Sequence, residues 1–209
     1  SAAACGGAGA AATGLGLRRR MHDLGRAASA VRQPALCQAL CFGATLAAWP
    51  SIPGRACAEG AFAGMGQAWW FTLVVAVYNV LDFLSRVRLR LLQRIARRVP
   101  PAACLGLCVA RLLLPPLIYL CVRPRLIGGG AGNVVILALV AVLALSNGFL
   151  ATASMMQVAH AAPAALREEG VYVAVACVYL GLASGATLSW VLAGDGALRL
   201  DLLNCSSAT

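Results

Sequence analysis

The sequence predicts an all-α integral membrane protein, a bundle of five transmembrane helices, and three observations carry that prediction. The 209 residues are 61% hydrophobic and only 11% charged, with mean hydropathy +0.81, a balance that a water-soluble domain cannot hold without exposing most of its apolar side chains. The apolar residues gather in runs of about 20, the length that crosses a hydrocarbon core about 30 Å thick. The 17 basic residues are all Arg and lie mostly between those runs.

Taken in chain order, residues 1–32 are expected to form a basic cytosolic loop. Within it Ser1 to Thr13 is a small-residue, low-complexity stretch without the charged start and apolar core of a signal peptide, and it reads as a loop cut from a longer protein. The bundle is expected over 33–193. A first span covers about 33–52, closed by Pro50 and Pro53, and a second covers about 68–86. The third, fourth and fifth cover about 102–122, 133–157 and 171–193, followed by an extracellular tail at 194–209. Gly128 to Gly130 with Gly132 mark one of the short connections as a turn. The stretch from Arg86 to Arg98 fits two readings: a basic amphipathic segment on the inner surface, with Leu89, Leu91, Leu92 and Ile95 toward lipid, or a solvated loop.

The arginines orient the bundle. With a cytosolic N-terminus the inner segments hold Arg18, Arg19, Arg20, Arg26 and Arg32, then Arg88, Arg90, Arg94, Arg97 and Arg98, then Arg167. The outer segments hold only Arg55, Arg123, Arg125 and Arg199. This is the positive-inside asymmetry, and it puts the C-terminus outside. The formal net charge of +10 then reflects topology and contact with anionic inner-leaflet lipid. No nucleic-acid partner is expected, since no basic surface with interleaved aromatics is visible.

Cys37, Cys41, Cys104, Cys108, Cys121 and Cys177 sit in apolar runs, where a free thiol behaves as a small hydrophobe. The i, i+4 pairs Cys37/Cys41 and Cys104/Cys108 each put two sulfurs on one helix face. No His or carboxylate stands near in sequence, so no metal site is expected. Cys57 and Cys205 both fall on the outer side, which permits a disulfide without requiring one. His22 and His160 are read as exposed loop residues. No nucleophile with a base, no paired catalytic carboxylates and no phosphate-cradling glycine loop occurs in the sequence, so neither enzyme activity nor a cofactor is expected.

Three ionised side chains stand inside the apolar runs: Asp82, Arg86 and Arg111. Each costs roughly 2.5–3.5 kcal/mol at the centre of an inserting helix, so such residues face a bundle interior or a water-filled path. At 100° per residue Asn79, Asp82 and Arg86 project within about 60° of one another, giving one helix face with an amide, a carboxylate and a guanidinium. Two readings stand side by side. In one, Asp82 and Arg86 neutralise each other as an ion pair or gate, with Arg111 reaching the loop region. In the other, Asp82 accepts hydrogen bonds from substrate hydroxyls while Arg86 and Asn79 donate, a set suited to a neutral polyhydroxylated solute. Ser146, Asn147 and Gly148 cut a polar notch in the fourth span, read as interhelical hydrogen bonding with close approach at the glycine. Gly181 and Gly185 give the fifth span a Gly-xxx-Gly packing face, and Pro115 and Pro116 are expected to kink the third.

The run Tyr78-Asn79-Val80-Leu81-Asp82-Phe83-Leu84-Ser85-Arg86 resembles the aromatic-Asn-x-x-Asp-x-x-Gly-Arg motif in the eighth helix of equilibrative nucleoside transporters. Ala110-Arg111-Leu112 with Pro115 or Pro116 downstream resembles the ninth helix, and Ser146-Asn147-Gly148-Phe149-Leu150-Ala151 the tenth. The run from Gly181 to Ala186 with Ser189 is similar to the eleventh, and Ala48-Trp49-Pro50 to the end of the seventh. The order is right throughout, over about 33–193. One departure is Ser85, which stands where the motif has Gly.

The resemblance implies helices seven to eleven of an eleven-helix protein with a major-facilitator-like transporter fold, the N-terminal half being the missing partner. It implies nucleoside contact by Asp82, Arg86 and Asn79, with Trp49 lining the outer part of the path, while Arg111, Asn147 and Ser146 serve as gating or structural polar residues. The expected function is facilitative nucleoside transport, with nucleobases as further substrates, by alternating access. The expected site of action is the plasma membrane. Two alternatives remain: a proton-coupled version in which Asp82 titrates, and a non-transporting assembly or regulatory membrane protein.

Overall fold

In the computed structural model, which describes residues 6–87, 98–122 and 127–193, every long element is a helix and no strand occurs among the described residues. Helix α1 (Gly6–Ala48) is followed by α2 (Gly66–Val87), α3 (Pro101–Ala110), α4 (Leu114–Val122), α5 (Gly129–Ala161) and α6 (Arg167–Ala193). Five segments are long and apolar enough to cross a membrane: Arg18–Arg55, Gly60–Val87, Pro101–Val122, Gly129–Ala161 and Ala164–Leu192. The chain is therefore an all-α, multi-pass membrane bundle.

One boundary differs from the sequence reading. The stretch 1–32, read as a basic loop, is helical from Gly6 onward and runs unbroken into the first span. Its Ala and Arg residues are strong helix formers, and Pro34 alone removes a donor within the helix. His22 likewise lies on α1, and His160 in the last turn of α5, rather than in loops. The amphipathic stretch proposed around 88–97, the tail at 194–209 and Cys205 fall outside the described residues. Cys57 is disulfide-bonded.

The third span is two helices. Between α3 and α4 the chain tightens into a 3₁₀ turn at Arg111–Leu113, where the Leu114 amide bonds to the Arg111 carbonyl. The cause is in the sequence: Pro115 and Pro116 have no N–H to return to the carbonyls four residues earlier, so the regular ladder stops and restarts with both prolines in a first turn. The expected kink is this break, and it leaves Arg111 at the joint.

Side chains sort by solvent. Trp70, Val74 and Tyr78 of α2 are buried against Ile118 and Val122 of α4 and Val140 and Leu143 of α5. A second cluster joins Cys37 and Cys41 of α1, Cys104 and Cys108 of α3, and Leu150 and Ala153 of α5. Outward-facing Trp69, Phe83, Leu180 and Trp190 are each more than 60% exposed, which in water would leave a large apolar surface uncovered and in lipid costs nothing.

Helices α1 and α6 pack backbone to backbone. A Cβ placed on Gly181 would strike the Ala39 main chain, its Cα lying at 2.9 Å, and one on Gly185 would stand 3.0 Å from the Gly43 Cα. The Gly-xxx-Gly face is thus the contact surface, and only hydrogens fit there. At the far end Ser51 and Ser189 share a 2.6 Å hydroxyl contact. The connection from α1 to α2 is tied down by Trp70 Nε1 donating to the Pro53 carbonyl at 3.1 Å and by Gln67 Nε2 donating to the Gly54 carbonyl at 2.9 Å.

Candidate functional site

The ionised residues meet in one polar network that crosses the middle of the bundle. On α2, Arg86 Nε donates to Asp82 Oδ2 at 2.8 Å and Arg86 Nη2 to Asp82 Oδ1 at 3.2 Å, a forked contact made possible by the i, i+4 spacing. Asp82 Oδ1 also accepts from Asn147 Nδ2 of α5 at 2.8 Å. The other end of that amide, Asn147 Oδ1, accepts from Thr45 Oγ1 of α1 at 2.9 Å. Thr45 in turn accepts from Arg111 Nη2 at 2.7 Å. A single line of hydrogen bonds therefore runs from Arg86 through Asp82, Asn147 and Thr45 to Arg111.

Arg111 ends the line and is a tie, not a free cation. It is only 3% exposed. Its Nε reaches Ser146 Oγ at 2.9 Å, Nη1 the Cys41 carbonyl at 2.7 Å and the Cys41 sulfur at 2.8 Å, and Nη2 the Leu143 carbonyl at 2.9 Å besides Thr45. All five guanidinium donors find acceptors on α1 and α5. The reading that sent Arg111 toward a loop is corrected: the proline break holds it inside, where the carbonyls of two neighbouring helices solvate its charge.

The Asp82–Arg86 pair differs because it retains exposure, 19% for the Asp82 side chain and 38% for that of Arg86. Arg86 opens onto a cleft of about 700 Å³ lined also by Gln38, Phe42, Met155, Tyr179 and Leu182, a volume in the range of small-molecule sites. Asn79, one turn before Asp82, is exposed and stands outside the network. Trp49 stacks on Tyr78 with ring centroids 4.2 Å apart and planes at 24°. Its indole Nε1 is buried without a hydrogen-bond partner among the described residues.

Ser85 is buried, with its hydroxyl donating to the Asp82 carbonyl at 2.7 Å. It faces Gly148 of α5, where a Cβ would run into Ser85 Oγ and lie 2.7 Å from the Asp82 carbonyl oxygen. Gly148 therefore leaves the space that lets Ser stand at 85 and lets Asn147 approach Asp82.

Sequence reasoning missed Thr45 and Cys41. A hydroxyl one turn beyond a thiol in an apolar run was the only available signal, because their partners lie about a hundred residues away. It also paired the cysteines within helices, whereas the structure brings Cys37 of α1 against Cys104 and Cys108 of α3.

No solved structure matches the chain. Equilibrative nucleotide transporter 8 of Arabidopsis thaliana is 27% identical over 164 residues, covering 77% of this chain and 39% of that protein, so the chain spans well under half of the relative's length. The sequence profile of the nucleoside transporter family matches residues 28–193, a stretch that contains the last four apolar spans, most of the first and every residue of the network. The chain belongs to the nucleoside transporter family.

Proposed function

We propose that the protein moves nucleosides across a membrane by facilitated diffusion, with the five helices described here forming one of two walls of the path and an N-terminal half forming the other. The observation that carries this reading is the Asp82–Arg86 pair, its carboxylate held by Asn147 and its guanidinium open to a cleft. A paired carboxylate and guanidinium is neutral as a unit. When the pair loosens, Asp82 accepts from a ribose diol and Arg86 donates to an oxygen or ring nitrogen, so the solute replaces the bonds that the residues gave each other. Asn79 adds an amide on the same helix face. The Trp49–Tyr78 stack lies one helical turn from Asp82 along α2, about 6 Å at 1.5 Å per residue, a spacing that suits a flat base beside its sugar.

The Arabidopsis relative is named a nucleotide transporter, and the charge of this site argues for the uncharged solute. Arg86 is already neutralised by Asp82, and all donors of Arg111 are used inside the bundle. A phosphate would meet the Asp82 carboxylate, while the Arg111 guanidinium is buried, has its donors engaged and does not line the cleft. Alternating access then amounts to making and breaking the Asp82–Arg86 contact as two helix bundles rock about the path. The plasma membrane is the proposed location.

The test is uptake of labelled adenosine, uridine and AMP into vesicles holding the full-length protein. Saturable adenosine and uridine uptake is expected, with AMP excluded, and Asp82→Asn is expected to reduce uptake to background at unchanged protein level in the membrane. Correctly inserted wild-type protein that moves none of the three would overturn the transport reading. AMP uptake matching adenosine would overturn the preference for nucleosides.

A further inference from the structure

The three thiols of Cys37, Cys104 and Cys108 converge, with all three sulfurs within 4.8 Å of one another and all three residues fully buried. Helical spacing puts Cys104 and Cys108 on one face of α3, and the packing of α1 against that face brings in Cys37. Cysteines used only as small hydrophobes need not meet. Cys121 and Cys177, equally free, do not join the group. Three sulfurs around an ion at a metal–sulfur distance of about 2.3 Å stand roughly 4 Å apart, so the thiols need only small adjustments to close on one.

We propose that Cys37, Cys104 and Cys108 form a soft-metal site for monovalent copper, which clips α1 to α3. Thiol sulfur selects copper(I) and zinc among the available ions. Structural zinc takes four protein ligands. The described residues offer no fourth: Cys41, one turn beyond Cys37, lies outside the converging set and is engaged by Arg111 and Asn147. Three buried sulfurs satisfy copper(I), which accepts a low coordination number.

Charge decides whether an ion can stay there. Binding releases thiol protons to water. With two thiolates and one neutral thiol around a monovalent ion, the centre carries a single net negative charge. The buried Arg111 guanidinium has no carboxylate partner among the described residues and reaches the neighbouring Cys41 sulfur at 2.8 Å. Cys41 stands one turn from Cys37 on α1 and packs in the same buried cluster, so Arg111 is the positive charge that the structure places on that side of the thiols, where a membrane interior demands a counter-charge.

A cavity of about 590 Å³ opens beside the start of α3, lined by Val99, Pro100, Pro101, Met156, Gln157 and His160. Met156 also packs against the buried cluster that contains the three cysteines, so on the approach from this cavity its thioether and the His160 imidazole would offer soft and borderline ligands ahead of the thiols. Gln157 Oε1 is buried there without a hydrogen-bond partner. The arginine distribution puts this end of the bundle in the reducing cytosol, where thiols stay free.

The experiment is copper(I) titration of the purified, reduced full-length protein against a chromophoric chelator, with X-ray absorption on the loaded sample. One copper per chain with sulfur neighbours only is expected. Cys37→Ala is expected to lose affinity by more than the roughly 10–100-fold that changes beyond the direct ligands cost, while Cys177→Ala retains wild-type binding. Because Cys37→Ala exchanges one small buried residue for another, its fold is checked by membrane insertion. A second measurement needs no variant: copper(I) is expected to raise the melting temperature of wild-type protein, since an ion that binds only the folded state stabilises it. Failure of wild type to hold copper against the chelator, nitrogen or oxygen neighbours in the absorption data, or equal binding by Cys37→Ala would each overturn the site. None of these outcomes bears on nucleoside uptake.

Discussion

Asn147 is the residue on which the polar network turns. Its amide nitrogen holds Asp82 and its amide oxygen takes the Thr45 hydroxyl, so one side chain fixes a carboxylate on α2 by reference to α1. Substituting Asn147→Leu fills the same space and removes two hydrogen bonds, each worth about 0.5–1.5 kcal/mol, while Asp82 keeps Arg86 and Thr45 keeps the Cys41 carbonyl. The expected result is a melting temperature several degrees lower in purified protein, together with weakened nucleoside uptake. Thr45→Val removes both the donor to Asn147 and an acceptor of the buried Arg111 guanidinium and is expected to lower the melting temperature at least as much. Arg86→Lys keeps the charge and loses the forked contact to Asp82, so uptake is expected to fall roughly tenfold or more with unchanged insertion. At this scale the sequence was informative where partners share a helix. Asp82 and Arg86 were legible because helical geometry alone brings them together. Thr45, Cys41 and the convergence of Cys37 with Cys104 and Cys108 were not, because each contact requires knowing which helices are neighbours.

Among the elements, α1 and α6 have the tightest contact, since Gly43, Gly181 and Gly185 let main chains touch. Gly185→Leu puts a branched side chain where a single Cβ already stands 3.0 Å from the Gly43 Cα and from Leu46 Cβ. Overpacking of this kind costs about 1–3 kcal/mol where neighbours yield, and more where they are backbone. The expected outcome is a fall of several degrees in melting temperature, with Gly64→Ala, whose Cβ would meet nothing within 4 Å, as the neutral comparison. The spans themselves were legible from hydropathy, and the packing face of α6 from its glycine spacing. The helical character of the basic N-terminal stretch was not, because polarity marks a segment as outside the membrane and says nothing of whether it is coiled. The break in the third span was visible as a proline pair, yet the position it gives Arg111 came only with the neighbouring carbonyls.

The whole molecule is organised by an asymmetry of charge along the membrane normal. The arginine distribution proposes an orientation, and that proposal makes a prediction independent of any substrate. A glycosylation acceptor inserted between Ile127 and Gly128, in the connection from α4 to α5, is expected to be modified in the lumen of the endoplasmic reticulum. One inserted at Pro163, between α5 and α6, is expected to stay unmodified. The opposite pattern would invert the topology and place the Cys37 cluster at the outer side. Among the described residues Asp82 is paired with Arg86, and Arg111 is held by main-chain and hydroxyl oxygens.

The contact between Ser85 and Gly148 has a consequence for inheritance. The two positions form one constraint shared by α2 and α5, and it is lopsided. While 148 has no side chain, a lineage can exchange glycine for serine at 85 and keep the Asn147–Asp82 bond. The converse exchange is closed, because a methyl at 148 meets the Asp82 main chain whatever stands at 85. Drift through this pair should therefore run in one direction: related sequences are expected to alternate between the smallest residues on α2 while the α5 position stays fixed, and a survey of descendants that found alanine at 148 with the network intact would show that the two helices had separated.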